Sequence, residues 1–372
     1  MPGTGKGASD ACESAQKRGT GARTKVRPGA SDRNAGCVLN QVGLGAPVLV
    51  LLAMFSGCGG PEPSASGKTK TFTNPVYDKN FSDPFILWAN GTYHAYSTND
   101  SGANVPTLTS EDLVEWTRGV DAMPDLAEWA NRGKTWAPEV LRREDGAYVL
   151  YYTATSAGSG KQCIGRAIAD SPEGPFIDES EEPLVCQADE GGSIDASPFR
   201  DGDGSLYLLW KNDGNCCGLD TFIYSQKLSP DGLSLGGEPE RLMKQDAAWE
   251  GQLVEAPLMW ERDGEHYLFF SGNAFDSESY AVGYARCEGP SGPCEKAFEN
   301  PILKTSDGAA GPGHVAIVED GEGKTWMAYH AWPRDAVGSK IPGRTFWIDE
   351  LAWEDGHPTV KGPTGGAQPA PR

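Results

Sequence analysis

The 372-residue sequence is short of cations, of histidine and of long apolar runs. Lys and Arg together number 32 against 52 Asp and Glu, and His occurs five times. Phosphate recognition needs clustered cations, so nucleic acid and anionic membrane surfaces are disfavoured as partners. A neutral ligand such as a sugar suits the balance. No C-x-x-C pair and no Cys/His cluster has zinc spacing, which excludes a structural zinc site. No segment carries a long amphipathic helical period, which argues against a helical domain. The longest apolar run, Gly43 to Phe55, is too short to cross a bilayer and about right for the core of a signal peptide.

That run separates two unlike regions. Residues 1–41 are rich in Gly, Ser, Lys and Arg. The run itself closes on Phe55-Ser56-Gly57-Cys58, and Gly-, Pro- and Ser-rich sequence follows to about Gly67. This resembles a bacterial lipoprotein signal, in which Cys58 is lipidated and becomes the mature N-terminus. Phe55 stands where such signals usually carry Leu, and a plain secretory signal is the alternative. Either way the chain is expected to be exported, with any membrane contact made through a lipid on Cys58. The expected organisation is a leader over 1–58, a flexible tether over 59–70, and one domain over 71–372, acting as a monomer. Through Gly57 the leader has seven basic and three acidic residues, so the rest of the chain is near −24.

Cys12, Cys37 and Cys58 fall in the leader, leaving Cys163, Cys186, Cys216, Cys217, Cys287 and Cys294. An even number in an exported domain points to disulfides, with 15 connectivities open. Short separation favours Cys287 with Cys294 and Cys163 with Cys186, and the adjacent Cys216-Cys217 could form a vicinal bridge.

What the sequence has in quantity is a repeat. Five times an apolar segment leads into a polar turn containing Gly91, Gly146, Gly204, Gly264 or Gly323. Each turn is followed by an apolar strand led by an aromatic residue: Tyr93, Tyr148, Tyr207, Tyr267 and Trp326, spaced 55, 59, 60 and 59 residues apart. Gly supplies the positive φ that a hairpin turn needs, and aromatic side chains suit a half-buried pleated surface. Four strands of about six residues fill a repeat of this length. Further strands are expected at Ile164 to Ala169, Phe222 to Lys227 and Tyr280 to Ala285. The fold predicted is all-β: a five-bladed β-propeller with four-stranded antiparallel blades around a central channel. A two-sheet sandwich offers no reason for five evenly spaced copies.

The first strand of a blade lines the channel. Four of the five candidate first strands carry an acid beside or near a proline: Asp83-Pro84, Pro138-Glu139, Asp195 before Pro198, and Glu255 before Pro257. The fifth carries His314. The offset from proline differs between blades, which argues against one shared structural duty. Glycosidic bonds are broken between two carboxyl groups, one an acid and one a base or nucleophile. Carboxyl groups on apolar inner strands are costly unless used or paired, and clustering drives their pKa values apart. Acids converging on one channel therefore point to a hydrolase.

The motifs Asp83-Pro84-Phe85, Trp136-Ala137-Pro138-Glu139, Ile194-Asp195-Ala196-Ser197-Pro198, Val254-Glu255-Ala256-Pro257, Gly311-Pro312-Gly313-His314 and the closing stretch Arg344 to Pro358 resemble, in order, glycoside hydrolase family 43. The likeness runs from about Asn74 to Val360. It implies a five-bladed propeller and an inverting mechanism that needs no cofactor. By resemblance, Asp83 is the general base, Glu255 the general acid, and Asp195 the group that tunes and orients the acid. Inversion requires the two working carboxyls roughly 6.5–9.5 Å apart. His314 resembles a histidine that members place near a central ion, often calcium, sometimes through water; a hydrogen-bonded core role is the alternative. Arg344 resembles an arginine that contacts the first-subsite sugar, with a structural ion pair as the alternative. Glu139 matches the motif without belonging to the triad, and is expected to satisfy backbone groups or an arginine. Phe85, Trp136 and Trp249 are candidate sugar-stacking faces or core packing. The implied substrate is arabinose- or xylose-containing plant polysaccharide or oligosaccharide. The phrases Lys211 to Cys216 and Trp249 to Glu255 look most like an α-L-arabinofuranosidase. The alternatives are β-xylosidase, endo-arabinanase, a galactan-directed exo-enzyme, or a surface glycan-binding propeller without catalysis.

Overall fold

The computed structural model describes residues 70–372. The leader, the apolar run and Cys58 lie outside the described residues. The chain from Thr71 onward forms strands and three short 3-10 turns, and no α-helix occurs among the described residues.

A two-residue strand, β1 (Thr71–Phe72), pairs with the last, β21 (Gln368–Pro369), and brings the two ends of the domain together. Between them run five antiparallel blades. Blade one is β2 (Phe85–Ala89), β3 (Thr92–Tyr96), β4 (Pro106–Ser110) and β5 (Thr117–Asp121). Blade two is β6 (Ala130–Arg142), β7 (Tyr148–Ser156) and β8 (Gln162–Ala169). Its fourth position is held by two isolated bridges, Ile164 with Val185 and Ile168 with Ile177. Blade three is β9 (Ser193–Arg200), β10 (Leu206–Asn212), β11 (Phe222–Leu228) and β12 (Leu235–Lys244). Blade four is β13 (Val254–Arg262), β14 (Glu265–Gly272), β15 (Ala281–Cys287) and β16 (Cys294–Lys296). Blade five is β17 (Ala310–Glu319), β18 (Thr325–Trp332), β19 (Thr345–Glu354) and β20 (His357–Val360). The fold is the predicted five-bladed propeller.

The repeated phrase has a physical basis in each blade. Gly91, Gly146, Gly204, Gly264 and Gly323 all sit at φ between 76° and 92°. A Cβ at any of them would meet no atom within 4 Å, so glycine is there for its backbone freedom and not for space. The aromatic that follows is on the second strand, and four of the five, Tyr93, Tyr148, Tyr267 and Trp326, are buried.

The core is divided into five apolar clusters, one at each junction of neighbouring blades. Leu150 and Tyr152 meet Tyr96 and Val105 between blades one and two. Leu208 and Trp210 meet Val149 and Tyr151 between two and three. Leu268 and Phe270 meet Leu209 and Ile223 between three and four. Met327 and Tyr329 meet Phe269 and Tyr284 between four and five. The ring closes where Ile86 and Leu108 pack on Val318, Phe346 and Ile348. Each blade thus buries apolar area against two neighbours, and a blade alone would leave both faces wet.

The six cysteines are paired as Cys163–Cys186, Cys216–Cys217 and Cys287–Cys294. The last joins directly opposed residues of β15 and β16.

Candidate active site

In or just before each inner strand stands one non-glycine residue with left-handed backbone: Asp83 (φ 53°), Ala137 (φ 45°), Asp195 (φ 58°), Ala256 (φ 53°) and His314 (φ 53°). Non-glycine residues rarely adopt this conformation, at a cost on the order of 1–2 kcal/mol each. The kink re-aims the strand, as a β-bulge does, and takes the residue's N–H out of the ladder. That N–H is satisfied by a side chain from the blade before. Thr98 Oγ1 accepts from Ala137 (3.0 Å), Thr153 Oγ1 from Asp195 (3.3 Å), Ser271 Oγ from His314 (2.9 Å) and His330 Nδ1 from Asp83 (3.1 Å). Only blade four differs, where the Asp195 carboxylate itself accepts from Ala256 (2.9 Å).

This corrects one sequence expectation. Asp83, Asp195 and His314 occupy the same kinked position in their blades, and Glu255 stands one residue before it. The landmark is the kink and not the proline, so the unequal proline offsets carry no meaning.

Asp83, Asp195 and Glu255 line one cavity of 490 Å³, together with Trp136, Lys211, Phe275, His314 and Arg344. Asp83 is gripped by Arg344 through two contacts, Nη1 to Oδ1 at 2.7 Å and Nη2 to Oδ2 at 3.2 Å. His330 Nδ1 and His314 Nδ1 stand 3.3 and 3.5 Å from Oδ1, and the Thr98 hydroxyl donates to Oδ2. Burial alone would raise the Asp83 pKa. The Arg344 guanidinium, then the two imidazoles and the Thr98 bond, overcome this and hold the carboxyl well below the usual carboxylate range. Burial pushes His330 well below its ordinary value, with Arg344 adding to the effect, so its ring is neutral.

Glu255 faces other donors. Lys211 Nζ, on a fully buried side chain, lies 3.0 Å from Oε2, and the Tyr280 hydroxyl donates to Oε1 at 2.8 Å. Asp195 is pushed up to about 6, first by burial and then by the negative charge of Glu255. Asp195 therefore keeps a proton at mildly acidic pH beside the Glu255 carboxyl. Tyr280 spans both halves of the site, because its ring also stacks on His330 with centroids 5.7 Å apart. A Cβ on Gly313 would fall 2.0 Å from that ring, which explains the glycine before His314.

The other sequence candidates divide. Arg344 pairs with Asp83 and also lies over the exposed ring of Phe275, 4.7 Å from its centroid. Phe85 and Trp249 do not line the cavity. Phe85 packs on Tyr96 and Trp249 on Phe270, and Cβ atoms at Gly272 or Gly283 would strike Trp249. Both pack as core aromatics, and the Trp249 ring fills the space those glycines leave. Among the described residues Glu139 meets no arginine and one of its oxygens has no partner; burial, helped by the charge of Asp195, raises its pKa well above the usual value. His314 stands beside Asp83, both of whose oxygens are engaged by Arg344, and its ring also bears on the charge of Asp195. Calcium takes six to eight oxygens, so an ion held at His314 would draw most of its shell from water.

Sequence reasoning missed His330, Tyr280, Thr98 and Phe275 as parts of the site. Thr98 and His330 share one signal, a polar residue near the end of an otherwise apolar second strand (YHAYST and WMAYH).

The sequence profile described as "Glycosyl hydrolases family 43" matches residues 72–358. A beta-D-galactofuranosidase of Aspergillus niger is 28% identical over 279 residues, covering 69% of this chain and 75% of that protein. A probable arabinan endo-1,5-alpha-L-arabinosidase C of Aspergillus flavus is 26% identical, covering 74% and 89%. The crystal structure of a thermostable family-43 glycoside hydrolase superimposes with a TM-score of 0.74 at 32% identity, covering 81% of this chain and 99% of that one. With five blades, a cavity that gathers carboxyl groups from three of them, and a profile match across the whole ring, the chain belongs to glycoside hydrolase family 43.

Proposed function

We propose that this family member is an inverting exo-acting α-L-arabinofuranosidase, exported and carried on the cell envelope by a lipid on Cys58. Asp83 is the general base, Glu255 the general acid, and Asp195 the group that tunes the acid's pKa and orients it.

The observation that carries the roles is the contrast in charge between the two sides of the cavity. Asp83, facing a guanidinium and two imidazoles, is ionised and aprotic, the state a base needs to draw a proton from water. On the other side Asp195 retains its proton up to about pH 6, which leaves one negative charge fewer beside Glu255, the side from which a leaving oxygen would be protonated. Arg344, fixed by Asp83 and Phe275, offers its remaining donor edge to a sugar hydroxyl, and Trp136 gives a flat face for the ring. No resident cofactor enters the reaction. Support for a furanose substrate comes from the relatives named above, which are a galactofuranosidase and an arabinan-cleaving enzyme.

The test is product analysis on arabinan, arabinoxylan and xylan, with the anomer of the first-released sugar resolved by NMR. Free arabinose of inverted configuration is expected from the first two. Retained configuration overturns the base assignment of Asp83. Xylose as the main product reassigns the substrate, and binding without turnover makes the propeller a glycan-binding module.

A further inference from the structure

A second cavity, of 220 Å³, lies at the junction of blades five and one. Two chain segments form the wall between it and the catalytic cavity. Asn80 and Phe81 face the second cavity while Asp83 faces the first; Lys340 to Pro342 face the second while Arg344 faces the first. The segments are clamped together. The Phe81 N–H donates to the Arg344 carbonyl at 2.8 Å, and the Arg344 N–H to Asn80 Oδ1 at 3.1 Å. Gly343 makes this approach feasible, since a Cβ there would fall 2.5 Å from Asn80 Oδ1. The two cavities are therefore neighbours across a thin, rigid partition.

The second cavity differs in charge from the rest of the protein. Lys79, Arg118 and Lys340 line it, and among the described residues none of the three makes an ion pair. One acid, Asp100, shares the lining and accepts the Ser101 hydroxyl. In a chain with a formal net charge of −20, this hollow gathers cations of one sign beside the site of bond cleavage. A concave surface of one sign focuses the field and concentrates a counter-charged ligand. The walls also supply apolar faces: the Tyr77 ring, set edge-on to Phe81 at 6.0 Å, and Ile341, which is 85% exposed. Apolar faces suit the C–H surface of a sugar ring, and the cations suit a carboxylate on it.

We propose that this cavity is a subsite for a hexuronic acid residue of the polysaccharide under attack, with the carboxylate held by Lys79, Arg118 and Lys340. The inference rests on the glycosidase reading above and gives it a substrate class: neutral furanose side chains on a backbone that also bears acidic sugars. The subsite selects and positions the polymer and takes no part in bond cleavage.

The experiment is equilibrium titration of the full chain with a glucuronate-bearing xylo-oligosaccharide and with its neutral parent. The acidic ligand is expected to bind about tenfold more tightly at low salt, the sum of three exposed cation–carboxylate contacts. The advantage should shrink to about twofold or less in ~1 M salt, where the Debye length is about 3 Å. The double variant Lys79→Glu/Lys340→Glu should lose the advantage while its kcat/KM on a neutral aryl arabinofuranoside stays within about twofold of the parent, because neither side chain touches the catalytic cavity. Equal affinity of the two ligands for the parent protein, or a preference that survives the double substitution, overturns the subsite. Absence of turnover on the aryl glycoside would count against the glycosidase reading alone, since the titration needs no catalysis.

Discussion

Asp83 and the Asp195–Glu255 pair share a cavity but not an electrostatic environment. On the blade-one and blade-five side, a single carboxylate meets the Arg344 guanidinium, two imidazoles and the Thr98 hydroxyl, and its charge is balanced. On the blade-three and blade-four side, two carboxylates meet one buried lysine and a tyrosine hydroxyl, and acids outweigh the cation. Burial penalises charge on both sides, yet only the second has charge of its own sign to shed. The same residue type is thus ionised in one place and proton-bearing in the other.

The most direct way to break this comparison is to remove its two poles. Asp83→Asn and Glu255→Gln should each lower kcat by about 10³- to 10⁴-fold on natural arabinosides. They should part company on an aryl arabinofuranoside with a good leaving group, which needs no protonation. There Glu255→Gln should recover most of its activity and Asp83→Asn none; equal recovery would erase the distinction between acid and base.

A smaller effect sharpens the proton-bearing side. Asp195, near 6, loses its proton as pH rises through that value, so kcat/KM should fall above about pH 6. Loss of activity on the acid side should come only well below the usual carboxylate range, since Asp83 stays ionised there. Asp195→Asn should cost about 10²-fold and move the basic limb, because the group that sets it is gone. A limb that stays at the same pH would show that Asp195 does not take part in the titration.

The smallest effects concern the supporting donors. Lys211 lowers the pKa of Asp195, so Lys211→Met should carry the basic limb to higher pH. Tyr280→Phe removes one hydrogen bond to Glu255 and should cost kcat about three- to tenfold, in line with about 0.5–1.5 kcal/mol for such a bond. A shift of the limb to lower pH in the lysine variant would reverse the assigned sign.

Much of this was legible in the sequence because it is written in repeats. The five turn glycines and the aromatics after them mark the hairpins, since a positive φ and a half-buried pleat each demand a narrow set of residues. The acids on inner strands were legible because charge on an apolar strand is conspicuous. The site's supporting shell was not. His330 sits on a second strand, hidden among core residues, and reaches Asp83 over a sequence separation of 247. Lys211 could be read as a surface lysine, and only the fold shows its ammonium sealed against Glu255. Phe85 and Trp249 were ambiguous for the opposite reason: an aromatic beside a motif suits a sugar platform as well as a core, and only the fold sets Phe85 against Tyr96 and Trp249 into the room left by Gly272 and Gly283. The alternation of kinked residues was invisible, because Ala137 and Ala256 have nothing in their chemistry to announce a left-handed backbone.

The side chains that answer the kinked N–H groups are handed forward, from one blade to the next: four come from the second strand or the residues just after it, and the fifth, the Asp195 carboxylate that serves Ala256, from a first strand. Support around the ring therefore has a direction. A lesion at Thr98 lands on Ala137, one at Ser271 on His314, and one at His330 crosses the seam between the chain's end and its beginning to reach Asp83. Engineering this enzyme blade by blade, as if each were an independent cassette, would leave every grafted module holding up its neighbour's reactive residue while depending on the module behind it for its own.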